Sequence, residues 1–81
     1  MMDRRSEEKI VARGLKAPGT LLLVKKKLKE IDSGRLRVIL SDEDAGEALI
    51  TYFSQHGCTC ETDRAGTDIH VIIDLAKFKD V

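Results

Sequence analysis

The sulfur and imidazole groups of the chain fall in two short stretches, "HGCTC" at residues 56–60 and "DIHVIID" at residues 68–74. Cys58 and Cys60 are two residues apart, and alternate residues of an extended strand share a face, so both thiols would meet one environment. One thiol could accept a sulfur atom or an oxidant while the other resolves the adduct. The opposing reading is inert packing, because cysteine is commonly a buried residue and no adjacent lysine or arginine lowers either pKa. With His56 and His70 the thiols make four soft donors, but a Cys-x-Cys with scattered histidines lacks the paired C-x₂-C of a structural zinc site. No metal or cofactor is expected. His56 reads as a partner for a helix C-terminus and His70 as a solvated strand residue.

A second chemical feature is cationic. Arg13, Lys16, Lys25, Lys26, Lys27 and Lys29 crowd one stretch, although 14 basic and 14 acidic residues cancel over the whole chain. No global field draws the molecule to nucleic acid or to a membrane, so any such binding must rest on a local patch. Charged helix faces are ordinarily just solvated. If the patch functions, an acidic protein surface suits it better than nucleic acid, because there is one tyrosine, no tryptophan and no aromatic interleaving for base stacking. Arg13, Lys16, Lys25, Lys26 and Lys29 are the docking candidates; Lys27 lies toward the side of Leu23. No phosphate-binding glycine loop is present, since "KAPGT" lacks the G-x-x-x-x-G-K-[ST] spacing, and no serine sits in a nucleophile elbow.

The elements that must position these groups follow from periodicity. "EKIVARGL" suggests a strand at about residues 8–13, ending at Gly14. From Pro18, Leu21, Val24, Leu28 and Ile31 recur at helical spacing with lysines on the other side; proline suits the first helical position, and "DSG" would stop the helix. "LRVILS" reads as a buried strand. Ser41 and Asp44 then resemble a capping box for a helix that buries Leu49, Tyr52 and Phe53, sits close through Ala45 and Ala48, and stops at Gly57. The remainder reads as a hairpin: a strand near 58–63, a turn on Ala65-Gly66, and a strand near 67–74 alternating Ile69, Val71 and Ile73 with Asp68, His70 and Asp74.

The order β-α-β-α-β-β predicts an α/β (α+β) two-layer sandwich, a mixed four-stranded sheet with both helices on one face. The expected limits are a flexible N-terminal segment at 1–7, one domain at 8–74 and a C-terminal tail at 75–81. Val11, Ile39 and Ile72 would lie on the open sheet face, as isolated apolar residues or as a partner or homodimer surface. The charged "MMDRRSEEKI" is unlike a secretory signal and no stretch is long enough to span a bilayer, so a cytosolic, membrane-free protein is expected.

The turn "GLKAP", residues 14–18, leading into "LLLVKKKLKEI", then "GRLRVILSDEDA" and a second helix ending "HG", resembles the TusA/SirA family of small sulfur-carrier proteins over about residues 9–74. The family hallmark is a Gly-Leu-x-Cys-Pro-x-Pro turn opening the first helix. The resemblance implies a βαβαββ fold whose turn cysteine takes sulfur as a persulfide from a cysteine desulfurase and passes it to an acceptor. Gly14, Leu15 and Pro18 match the turn. Ala17 stands where the resemblance places the cysteine, Thr20 where it places the second proline, and Val11 where many members carry an aspartate. An engineered cysteine-to-alanine change would produce Ala17 but neither of the other departures, so natural divergence is the expectation. Two functions follow: a binding or regulatory module of a sulfur relay, partnered by a desulfurase or downstream acceptor, or a carrier that uses Cys58 or Cys60.

Overall fold

The computed structural model describes residues 7–30 and 34–75. The elements are β1 (Glu7–Val11), α1 (Gly19–Leu28), β2 (Arg35–Leu40), α2 (Glu43–Gln55), β3 (Thr59–Ala65) and β4 (Asp68–Asp74). They form one sheet in the order β1-β2-β4-β3, with β1 parallel to β2 and both other pairings antiparallel. The expected β-α-β-α-β-β sandwich is therefore the observed one.

Strand alternation sorts the sheet into two chemically different faces. Ile10, Leu36, Val38, Leu40, Ile69, Val71 and Ile73 point to the helical layer, where they bury against Val24 of α1 and Leu49 and Phe53 of α2. The open face carries Glu7, Arg37 and His70 with Val11, Ile39 and Ile72, as the strand register requires. Of its three apolar residues, Val11 is 58% exposed, Ile72 is half-buried, and Ile39 is only 7% exposed.

Several boundaries shift for identifiable reasons. Pro18 is the N-cap of α1, one residue outside the helix, and the Ala17-Pro18 peptide bond is cis. Helix α1 stops at Leu28 with Lys29 as C-cap, before "DSG"; Lys25, Lys26 and Lys27 in its last turn suit the negative end of the dipole. Its fully buried residues are Thr20 and Val24, while Leu21 and Leu28 are half-buried and Ile31 lies outside the described residues. The N-cap of α2 is Asp42, whose Oδ2 accepts from the Ala45 N–H at 3.0 Å, in place of the expected Ser41. Gly57, at φ +86°, ends α2 as expected, with the Cys58 N–H donating to the Phe53 carbonyl at 2.9 Å. The hairpin turn falls on Gly66-Thr67, with Ala65 paired to Asp68.

At the chain's two ends, Glu7 of the expected segment 1–7 belongs to β1, and residues 1–6 lie outside the described ones. Of the expected tail 75–81, Leu75 is 6% exposed and its N–H donates to the Gly34 carbonyl at 2.8 Å. Residues 76–81 lie outside the described ones.

Candidate functional site

Parallel pairing brings the C-terminal ends of β1 and β2 to one edge of the sheet, and antiparallel pairing brings the start of β4 to the same edge. The turn from β1 to α1 is held where these three ends meet. Buried Ala12 extends the pairing by one residue, its N–H donating to the Ile39 carbonyl at 2.8 Å. Gly14 follows at φ +85°, a conformation costly for a residue with a Cβ, and its N–H donates to Ser41 Oγ at 3.2 Å. Arg13 grips Asp68 with two bonds, Nε to Oδ1 at 2.9 Å and Nη2 to Oδ2 at 2.8 Å. That guanidinium holds the Asp68 carboxyl below the usual aspartate range.

The clamped turn presents Ala17 to solvent directly before the cap of α1. The Thr20 N–H donates to the Lys16 carbonyl at 3.1 Å and the Leu22 N–H to the Pro18 carbonyl at 3.0 Å, so helical bonding begins across this residue. A side chain at position 17 stands at the positive end of a ten-residue helix, a place that favours an anion or thiolate. The methyl group there has no acceptor, donor or nucleophile.

The basic residues are divided between this turn, which holds Arg13 and Lys16, and the C-terminal end of α1, which holds Lys25, Lys26, Lys27 and Lys29. Lys16, Lys26 and Lys29 are exposed. Lys25 lies over the Tyr52 ring at 5.1 Å from its centroid, and half-buried Lys27 pairs with Glu30 at 3.4 Å. Arg13 is committed to Asp68, so it holds the turn and is not a simple surface charge.

Cys58 and Cys60 do share one environment, on the helical side of the sheet. Cys58 is 7% exposed within the core, and half-buried Cys60 packs against it, in register with Ile73. Burial pushes both thiols up, the opposite of activation; a hydrogen bond with Ser54 offsets part of that for Cys60. The structure separates the four soft donors. His56 is the C-cap of α2, with Nδ1 2.8 Å from the Tyr52 carbonyl and its ring against the Tyr52 ring at 4.2 Å. His70 lies on the other face of the sheet.

There His70 is not a solvated strand residue. It is half-buried, and its Nδ1 lies 2.9 Å from Arg37 Nη1. Arginine can only donate, so this nitrogen accepts and the ring proton resides on Nε2. Arg37 Nε also donates to Glu7 Oε2 at 2.8 Å, and this bond holds the Glu7 carboxyl below the usual range. The chain Glu7–Arg37–His70 links three strands on the open face. Its only signal in the sequence is that these residues sit at out-facing positions, and pairing them requires the strand order.

A small α+β domain that clamps a turn at the head of its first helix is the class these features define. The family profile described as Sulfurtransferase TusA matches residues 8–74, and the chain belongs to that family. The crystal structure of the SirA-like protein from Desulfitobacterium hafniense has the same fold, with a TM-score of 0.75 at 22% sequence identity, covering 84% of this chain and 96% of that one. Comparison with curated proteins finds no match. Among the described residues, no helix is long and apolar enough to cross a membrane.

Proposed function

We propose that this chain is a divergent TusA/SirA-like protein that has lost the carrier cysteine and serves a cytosolic sulfur-transfer pathway as a protein-binding or regulatory module. The observation that carries the reading is the pairing of an exposed alanine at the head of α1 with two thiols withdrawn to the core side of β3. The position where a thiolate would be favoured has no thiol, and the thiols present are disfavoured as thiolates. Exposed Lys16 in the clamped turn, with exposed Lys26 and Lys29 at the far end of α1, supplies cations for an acidic partner, such as a desulfurase or a downstream acceptor.

A working carrier on Cys60 is the second reading. Its support is the Ser54 hydrogen bond, which favours the Cys60 thiolate against burial. Incubation of the reduced protein with a cysteine desulfurase and cysteine, followed by intact-mass measurement, separates the two. The module reading expects no added sulfur and retention of the protein by the desulfurase or a relay acceptor. A gain of one sulfur atom that disappears in Cys60→Ser or Cys58→Ser overturns it in favour of the carrier.

A further inference from the structure

A groove of about 200 Å³ runs between α2 and the β3–β4 hairpin. Half-buried Ile50 and the 6% exposed Ile69 supply its apolar surface, over fully buried Val71, and its rim carries Glu43, Glu47 and Arg64. Arg64 Nη2 meets Glu43 Oε2 at 2.8 Å, and Glu47, one helical turn along α2, is exposed beside them. An apolar space of roughly 150 Å³ is enough to take benzene, so the groove has room for an aliphatic side chain.

The complement of this surface is on the same molecule. Leu22 of α1 is 62% exposed, with Lys25 and Lys26 at i+3 and i+4 on its own face. Lys25 leans over the Tyr52 ring, so exposed Lys26 is the ammonium that accompanies Leu22 outward. One surface thus presents an aliphatic knob beside a cation, and another an aliphatic groove beside a carboxylate.

We infer that copies of this chain associate head to tail, Leu22 of one copy seated in the groove of the next with Lys26 against Glu47. The occupant is a second copy because both complementary halves belong to this chain, and because 14 positive and 14 negative charges leave copies without mutual repulsion. Knob and groove are different patches, so the contact is heterologous and passes from copy to copy unless the rotation closes a ring. A contact centred on one side chain is small, which makes the association weak and weaker still at high salt. It also covers the outer face of α1, so self-association and docking of an acidic partner exclude each other. The inference stands apart from whether the protein carries sulfur.

Sedimentation velocity on the full chain tests it, from micromolar to millimolar concentration at low and high salt. The average mass rises with concentration at low salt and falls back when salt is added. Leu22→Asp, Lys26→Glu and Glu47→Lys each abolish the rise; all three positions are solvent-facing and circular dichroism checks their folds. The double variant Lys26→Glu/Glu47→Lys restores the pair with its charges exchanged and recovers association. A wild-type chain that stays monomeric at millimolar concentration and low salt overturns the inference. So does association that survives Leu22→Asp, or a double variant no better than its singles.

Discussion

Arg13 and Asp68 are 55 residues apart in the chain, yet their side chains meet through two parallel hydrogen bonds of 2.9 and 2.8 Å. The pair ties the turn that opens α1 to the first residue of β4. A forked guanidinium against a carboxylate fixes direction as well as distance, so the turn is oriented and not merely tethered.

The Asp68 carboxyl titrates below its ordinary range in the folded chain, first because Arg13 donates to it. A depressed folded pKa contributes stability that is present above the unfolded value, about 3.9, and is lost as pH falls through the folded one. Asp68→Asn is accordingly expected to unfold at lower temperature than wild type at neutral pH. The gap closes as the pH drops below about 4. A gap that stays constant down to pH 2 in thermal melts contradicts the pairing.

Thr20 is fully buried on the inner face of α1, and its Oγ1 has no hydrogen-bond partner among the described residues. A buried hydroxyl in that condition costs about 1–3 kcal/mol. Thr20→Val keeps the shape and removes the hydroxyl, so urea unfolding is expected to show a gain of about 1 kcal/mol. A loss of stability would mean that the hydroxyl has found a partner.

Gly46 is buried within α2, yet a Cβ built on it would meet Leu40 Cδ1 at 3.6 Å and Val71 Cγ2 at 3.8 Å, which is ordinary contact. Glycine inside a helix is worse than alanine by about 0.5–1 kcal/mol. Gly46→Ala should therefore stabilise the fold by about 0.5–1 kcal/mol, read as a higher midpoint of denaturant unfolding with an unchanged slope. Destabilisation would show that α2 approaches the sheet more closely than these distances allow.

Thiol chemistry gives the fourth expectation. Alkylation of the native chain at neutral pH is expected to be slow at Cys58 and Cys60, since burial raises both, and to quicken as the pH rises above the ordinary thiol value. In Ala17→Cys the new thiol stands at the head of α1, where its pKa should fall below about 8.5. A fall of one unit increases the thiolate fraction about tenfold at neutral pH. Measured alkylation rates against pH decide it; a residue 17 thiol no more reactive than Cys60 refutes the placement.

The sequence disclosed most of the fold because its strands and helices differ in period. Ile69, Val71 and Ile73 alternate with polar residues, and all three point inward as that alternation requires. Leu49 and Phe53, four apart, are both fully buried in α2. The failures share a cause. The hydroxyl of Thr20 interrupts the apolar stripe of α1, although the helix turns it toward the core as surely as Val24. Ser41 suggested a cap from spacing alone, whereas the parallel return of β2 sets it beside Gly14 and gives its hydroxyl a different partner. The Arg37–His70 contact depends on β4 lying between β2 and β3, a tertiary fact that no local pattern contains. Ala17 is the reverse case, where the turn motif identified the position and the structure supplied the clamps that hold it.

Leu75 stands one residue beyond the segment that the family profile matches, yet it is buried against the core and latched to Gly34. The cooperative unit therefore outruns the recognisable one. A shortened chain cut after Asp74 would retain every matched position and still forfeit an interior leucine, on the order of 1.5–3 kcal/mol of burial, which is a large share of what a protein this small has to spare.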